Sequence, residues 1–344
     1  MSTILLNQMP MIGKEDNVFA YGKARYDINR ICQAHDISIE NILCKFYKVP
    51  FVTTLRILWL YHRLLGRIHG GHDIVVQYPA SCPKAFLRAI GMMKRAGNRL
   101  VFLIHDINSF RYHSDSTKEV ALLNKADALI VHTEAMAALL SQHGVKTPMY
   151  VLGLFDYLSE DAPLDEAVLM DHRHEVIFAG NLVKSQFLPS LCQTSFGDIR
   201  FRLYGVKKSL DFSPYQHIEY SGVFDSEHTA SITGGWGLVW DGDSLDGCHG
   251  ALGEYLRYNL PHKLSLYLAA GLPVIVWKES AVAKMITEQC LGIAVDSLRT
   301  LPQTLADIDE QTYLGMVRQC RRVGEKLRIG AMTLDAIRRA TDKK

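Results

Sequence analysis

Residues 258–277 read YNLPHKLSLYLAAGLPVIVW. A helix start, a helix, a stop and a buried strand are written into that stretch. Asn259 is a good N-cap, and Pro261 suits a first turn, where a missing N–H is no loss. Leu264, Tyr267, Leu268 and Gly271 fall at i, i+3, i+4 and i+7 and give the helix one buried face. Gly271 is placed to end it, and Pro273 prevents its continuing. The apolar run 274–277 then reads as a strand covered on both faces. A helix feeding such a strand is half of a βαβ unit.

Working outward, the same alternation fills the chain. Strands are expected at 3–8, 38–43, 73–77, 100–104 and 127–132, with amphipathic helices near 18–36, 53–69, 82–97, 116–125 and 134–143. The polar, acidic stretch LSEDAPLDEAVLMDHRHE (158–175) interrupts the pattern and reads as a linker. Strands then resume at 175–179, 199–203, 217–220, 236–240, 273–277 and 292–295. Helices fall near 184–192, 261–270, 280–289 and 311–328. The division is therefore an N-terminal Rossmann-like domain (1–157), a linker (158–174), a C-terminal Rossmann-like domain (175–328) and a last helix (329–344). That helix has two destinations open to it, the first domain or another subunit. Two such α/β domains enclose a cleft at their strand ends, suited to a nucleotide on one side and a second substrate on the other.

Lys263 sits in the opening turn of its helix, where the positive end of the dipole disfavours it by a few tenths of a kcal/mol. A diphosphate would resolve the conflict by accepting the free N–H groups and the lysine charge together. The plain alternative is a solvated lysine whose stem covers apolar surface. FAGNLVKS (178–185) repeats the arrangement: Gly180 and Asn181 follow a strand, the glycine allowing close backbone approach, and Lys184 opens the next helix. Two such sites in one domain favour a bound diphosphate.

With FAGNLVKS, LIHDINSFR (103–111) and KARYDINRI (23–31), the block GLVWDGDSLDGCHGALGEYLRYNLPHKLSLYLAAGLPVIVW (237–277) resembles bacterial sugar-nucleotide glycosyltransferases of the GT-B fold. The resemblance is to β-1,6-galactofuranosyltransferases of O-antigen assembly and to the β-glucosyltransferases that extend GlcNAc on serine-rich adhesins. It implies a UDP-sugar held mainly by the C-terminal domain. Gly180, Asn181 and Lys184 would line the nucleotide site, and Tyr258, Asn259 and Lys263 would hold the ribose and diphosphate. The wider retaining enzymes carry PxKxxEAxAxGxPVI. Here Leu266 stands where their ribose-binding glutamate would be, and Tyr258 where its partner would be, departures that fit an inverting branch better. No cofactor is implied, the UDP-sugar being a co-substrate.

Inverting transfer needs a base for the acceptor hydroxyl and positive charge on the departing diphosphate. Asp106, with His105 beside it, is the candidate base, because LIHD ends a buried strand. Asp27 is a rival, although a mid-helix carboxylate is more often a surface charge. Glu254 is a candidate contact to the donor sugar. Asp241 and Asp243 in WDGDS resemble a DxD metal signature, yet strand-then-DGDS is also an ordinary turn supplied by Gly242, and the tandem Rossmann pattern argues against a metal. Asp241 and Gly242 are placed near the donor. Gly13, Lys23 and Asp27 lie in or beyond the loop after the first strand, on the acceptor side.

The bulk numbers agree. At 344 residues the chain suits two domains of about 150 each. A formal net charge of +2 gives no nucleic-acid footprint. Seven cysteines, odd in number and without a CxxC pair, point to reduced thiols in a cytoplasm and against a disulfide frame or zinc site. The N-terminus reads as a buried strand rather than a signal peptide, and no apolar run reaches spanning length. Residues 54–68 and 84–100 combine aliphatic faces with Arg and Lys. They suit solvated crossover helices or contact with anionic lipid at the inner membrane face, where a lipid-linked acceptor would lie. The expectation is a cytoplasmic, UDP-sugar-dependent inverting hexosyltransferase, with a lipid- or protein-linked glycan acceptor and a homo-oligomer left open. The rivals are a nucleotide-sugar epimerase and a non-catalytic glycosyltransferase-like subunit.

Overall fold

The computed structural model describes residues 2–10, 22–44, 50–68, 70–80 and 82–342. They form two compact units. The first comprises β1 (Thr3–Pro10), Arg25–Gly153 and the chain from Met332; the second takes Leu154–Ala331 and the residues just before Arg25.

After β1 the first unit takes α1 (Lys23–Ala34) from Arg25 onward, then β2 (Ser38–Cys44), α2 (Pro50–Leu65), β3 (Asp73–Tyr78), α3 (Pro83–Arg95) and β4 (Arg99–Ile104). Short helices α4 (Asn108–Arg111) and α5 (Thr117–Leu123) lead to β5 (Ala128–Val131), α6 (Glu134–Gln142) and β6 (Met149–Val151). The six strands are parallel, in the order β2-β1-β3-β4-β5-β6. Every residue of β3 and β5 is buried, which is why 74–76 and 128–131 are apolar without alternation.

The second unit holds α7 (Glu166–Asp171), β7 (Glu175–Ala179), α8 (Leu188–Gln193), β8 (Arg200–Tyr204), β9 (Ile218–Gly222), β10 (Trp236–Val239), α9 (Gly250–Glu254) and α10 (His262–Ala269). It continues through β11 (Val274–Trp277), α11 (Ala283–Glu288), β12 (Gly292–Val295), α12 (Leu301–Ala306) and α13 (Glu310–Arg328). Its sheet is also parallel, ordered β12-β11-β10-β7-β8-β9. Both sheets are doubly wound, so the fold is α/β of GT-B class with two Rossmann-like units.

Tyr267 fixes α10 on this sheet. A Cβ at Gly237 of β10 would lie 2.2 Å from the Tyr267 ring, so only glycine admits it. Its hydroxyl accepts a hydrogen bond from Ala179 N at 2.8 Å, at the end of β7. One side chain thus ties the helix to both central strands. The helix closes as its sequence predicts: Leu272 N donates to Tyr267 O at 2.9 Å, past Gly271.

Several boundaries differ from expectation. Pro261, not Asn259, is the N-cap residue of α10, and no side chain caps it. Lys184 lies in a turn; α8 starts only at Leu188. The stretch read as a linker contains α7, whose Leu169 is fully buried. Its Glu166 pairs with Arg318 at 3.2 Å and Arg321 at 3.5 Å on α13, and Tyr313 donates to Leu169 O. The final helix, α14 (Ala331–Thr341), returns to the first unit, where Arg339 donates to Val151 O at 2.8 Å. Among the described residues no helix is long and apolar enough to cross a membrane.

Candidate functional site

In the second sheet the chain winds outward from two neighbours, β7 and β10, in opposite directions. Loops leaving their carboxyl ends part there, and in open α/β sheets that switch point is where ligands sit. The loop after β7 begins with Gly180 and Asn181; the loop after β10 begins with Trp240, Asp241 and Gly242.

Lys263, in the first turn of α10, is aimed at this point. Its Nζ donates to Trp240 O at 3.0 Å and lies 4.4 Å from the Phe178 ring centroid. A Cβ on Gly180 would sit 4.0 Å from the same Nζ, so the missing side chain leaves room beside the ammonium. Burial holds this ammonium below the usual lysine value, while the nearby Asp241 carboxylate acts the other way. Among the described residues no carboxylate forms an ion pair with it. A half-buried ammonium with one carbonyl partner and no ion-paired carboxylate keeps N–H donors that an anion could engage.

Polar side chains close to it in sequence are also incompletely satisfied. Asn259 Oδ1, His262 Nε2 and Ser265 Oγ are buried without hydrogen-bond partners, all within seven residues of sequence that include Lys263. Such atoms are rare in folded proteins and are expected where a ligand completes the bonding. His262, packed against Tyr157 and Phe155, is pushed down to about 4 by burial, with the Lys23 charge adding to the effect.

The other expected donor-side residues divide. Asn181 is exposed, and its carbonyl accepts from Ser185 Oγ at 3.0 Å, which shapes the loop after β7. Lys184 is exposed in that loop. Asp241 accepts from the N–H of Gly242 at 2.9 Å, and Gly242 has φ +93°, a conformation in which a Cβ would strike His249 O at 2.1 Å. Tyr258 is half-buried at the end of a helical turn, donating its N–H to Tyr255 O. Glu254 is paired with Arg257 at 2.6 Å, and Arg257 also pairs with Glu279 and lies over Trp277. That carboxylate belongs to a surface charge cluster.

In the first unit His105 and Asp106 follow directly on β4. Arg111 donates to Asp106 Oδ2 at 2.5 Å. Burial raises the Asp106 pKa above the usual carboxylate value, against the Arg111 and Arg25 charges, which lower it. His105 Nε2 lies 2.8 Å from Gln77 Oε1. Gln77 Nε2 donates to Asn29 Oδ1, so its amide oxygen faces the histidine and Nε2 carries the proton. Arg25 donates to the carbonyls of Gln77 and Pro79 at 3.1 and 2.9 Å, bracing the end of β3 beside that loop.

On the expected acceptor side, Asp27 is not the surface charge that its helix position suggested: it is buried. Lys23 is buried too, paired with Glu227 at 3.0 Å and donating to Leu158 O at 2.9 Å, a clamp within the second unit. Gly13 lies outside the described residues. Sequence reading missed Arg25, Gln77 and Asn29 around His105 and Asp106, and Phe178, His262 and Ser265 around Lys263. Arg25, Asn29, Phe178, His262 and Ser265 stood inside stretches already singled out for other residues, and Gln77 closed an expected strand.

The chain matches two family descriptions: "Glucosyltransferase 3-like, N-terminal domain" over residues 11–154 and "Glucosyltransferase 3-like, C-terminal domain" over 176–340. It is 33% identical to the β-1,6-galactofuranosyltransferase WbbI of Escherichia coli over 249 residues, covering 71% of this chain and 72% of that protein. It is 26% identical to glucosyltransferase 3 of Streptococcus gordonii over 274 residues, 78% of each. Among solved structures, sucrose-phosphate synthase from Thermosynechococcus elongatus shares the fold with a TM-score of 0.65 at 12% identity, covering 98% of this chain and 99% of that one. By these matches and its two parallel-sheet units, the chain belongs to the glucosyltransferase 3-like family of GT-B glycosyltransferases.

Proposed function

We propose that this chain transfers a hexose, galactofuranose or glucose, from a UDP-sugar to a sugar acceptor with inversion at the anomeric carbon. The acceptor belongs to a surface polysaccharide or a glycoprotein glycan. The observation that supports a nucleoside diphosphate donor most is Lys263: an ammonium with no ion-paired carboxylate among the described residues, at the switch point of the second sheet. The names of the relatives, one a galactofuranosyl- and one a glucosyltransferase, support the choice of sugars.

In this reading the diphosphate accepts from Lys263 Nζ and from the first N–H groups of α10, with Gly180, Asn181 and Lys184 lining the loop beside it. As the C1–O bond to UDP breaks, negative charge grows on the departing phosphate oxygen. A fixed ammonium and a helix N-terminus favour that charge without reorganising. Asp106 takes the proton of the acceptor hydroxyl as its oxygen bonds to C1. Its raised pKa makes it a stronger base than a surface carboxylate, and Arg111 and Arg25 keep it charged and oriented. His105 is held by Gln77 as its neighbour.

The test is turnover by the full chain with a panel of UDP-sugars, with and without GlcNAc- or glucose-terminated acceptors, following UDP release. Release that depends on acceptor, with a β-linked product from an α-linked donor, is the expected result. An isomerised nucleotide sugar without acceptor would make the chain an epimerase. Donor binding with no turnover on any acceptor would make it a non-catalytic subunit.

A further inference from the structure

The face formed by α2 and α3 in the first unit plays no part in the transfer reading. Helices that cover a parallel sheet normally turn polar residues outward, and these expose a stripe of large apolar side chains as well. Phe51, Leu55 and Trp59 repeat every four residues along α2 and are 67%, 49% and 53% exposed. Val52 beside them and Leu87 on α3 are exposed as well. The remaining exposed large apolar side chains among the described residues are scattered over other elements.

The charges around this stripe have one sign. Exposed Arg56 and Arg63 lie on α2, and Lys84, Arg88, Lys94 and Arg95 on α3, while neither helix contains an Asp or a Glu. Lys94 also pairs with Asp127 at 3.0 Å. The Arg63 guanidinium lies 4.9 Å over the Trp59 ring, so charge and aromatic surface adjoin. A shallow groove between the helices is lined by Trp59, His62, Leu87, Arg88 and Arg95.

We propose that this face seats the protein on an anionic lipid bilayer. Trp, Phe and Leu would enter the headgroup boundary, with Arg and Lys reaching the lipid phosphates. Charge complementarity selects this occupant. A second copy meeting the same face would set one pair of basic, acid-free helices against another, an arrangement that like-charge repulsion opposes. The proposal stands independently of the donor and acceptor assignments.

The test is sedimentation of the full chain with vesicles of phosphatidylcholine, with and without phosphatidylglycerol. Trp59 supplies a second readout. It alone of the four tryptophans is exposed, Trp236, Trp240 and Trp277 being buried, so a blue shift of emission reports its entry into lipid. Expected are binding and a blue shift with phosphatidylglycerol vesicles, both lost in about 1 M salt, where the screening length is about 3 Å. Combining Arg88→Glu with Arg95→Glu weakens binding about tenfold or more, and Trp59→Ser also weakens it. Neither variant changes UDP binding. Equal binding to pure phosphatidylcholine, no binding to either vesicle, or a charge-reversed variant that binds like the wild type would overturn the proposal. So would a self-association in solution that Trp59→Ser and the charge reversals abolish.

Discussion

A lysine in the first turn of a helix is disfavoured by a few tenths of a kcal/mol unless something negative answers it, and among the described residues no carboxylate forms an ion pair with Lys263. Removing the ammonium with Lys263→Ala should weaken UDP binding roughly tenfold to a hundredfold, the equivalent of about 1.5–3 kcal/mol for a charge-assisted contact. Lys263→Arg keeps the charge and should retain more affinity than alanine. Because burial lowers the Lys263 pKa, UDP affinity should fall as pH rises through that depressed value, earlier than for an exposed lysine. Calorimetric titrations across the alkaline range measure this, and a flat profile would remove Lys263 from the diphosphate. Asp106→Asn should leave UDP affinity intact and slow transfer by about 10²–10⁴, as expected for a lost general base. Measured turnover at the wild-type rate would exclude Asp106. The sequence made Lys263 legible because the conflict is local: residue type, helix position and dipole are all read within one turn. The setting of Asp106 was only half legible. Arg111 is five residues away, whereas Arg25 reaches the end of β3 beside that loop from a different helix, and nothing in a linear pattern announces that.

Elements that bury both faces were legible to within a residue or two. β3, β4, β7 and β11 are runs that no other structure explains as simply. β6 was not, being three half-buried residues, Met149–Val151. Nor were α4, α7, α9 and α12, since helices of four to six residues complete too few turns to show a period. The supposed linker failed for this reason: acidic composition masked a short helix anchored by Leu169. Contacts between elements leave a different trace. Gly237 in strand β10 is there because the Tyr267 ring needs its space. Gly237→Ala should therefore destabilise the second unit by about 1–3 kcal/mol, the usual range for overpacking. Thermal melting would show it, and an unchanged midpoint would mean that α10 is free to shift on the sheet. A smaller residue at 267 in the same variant should recover part of the loss.

At the scale of the whole chain, two buried histidines set the acid limit. Burial pushes His132 in the first unit down to about 4, and His262 in the second behaves likewise. Both are neutral in the folded chain and take up a proton more readily when unfolded, where the value is near 6.5. Stability is thus complete above about pH 6.5 and declines as pH falls toward 4, by about 1.4 kcal/mol per pH unit from His132 alone. Melting midpoints between these limits should slope accordingly, and His132→Asn should reduce the slope. The division of the chain is equally testable. α14 buries Leu334 and Ile337 with the first unit, so a chain stopped at Gly330 should lose about 3 kcal/mol there. Hydrogen exchange should accelerate in β4 and β5, leaving β7 and β10 unaffected. Equal acceleration in both units would contradict the partition. Tandem Rossmann units were legible in the alternation of strands and helices, but the return of the last helix was not, because its pattern suits any apolar surface. The most direct test of the account is calorimetry of UDP with the wild-type chain and with Lys263→Ala. The account predicts a single site whose affinity drops at least tenfold in the variant; no binding to the wild type, or equal binding to both, would contradict it.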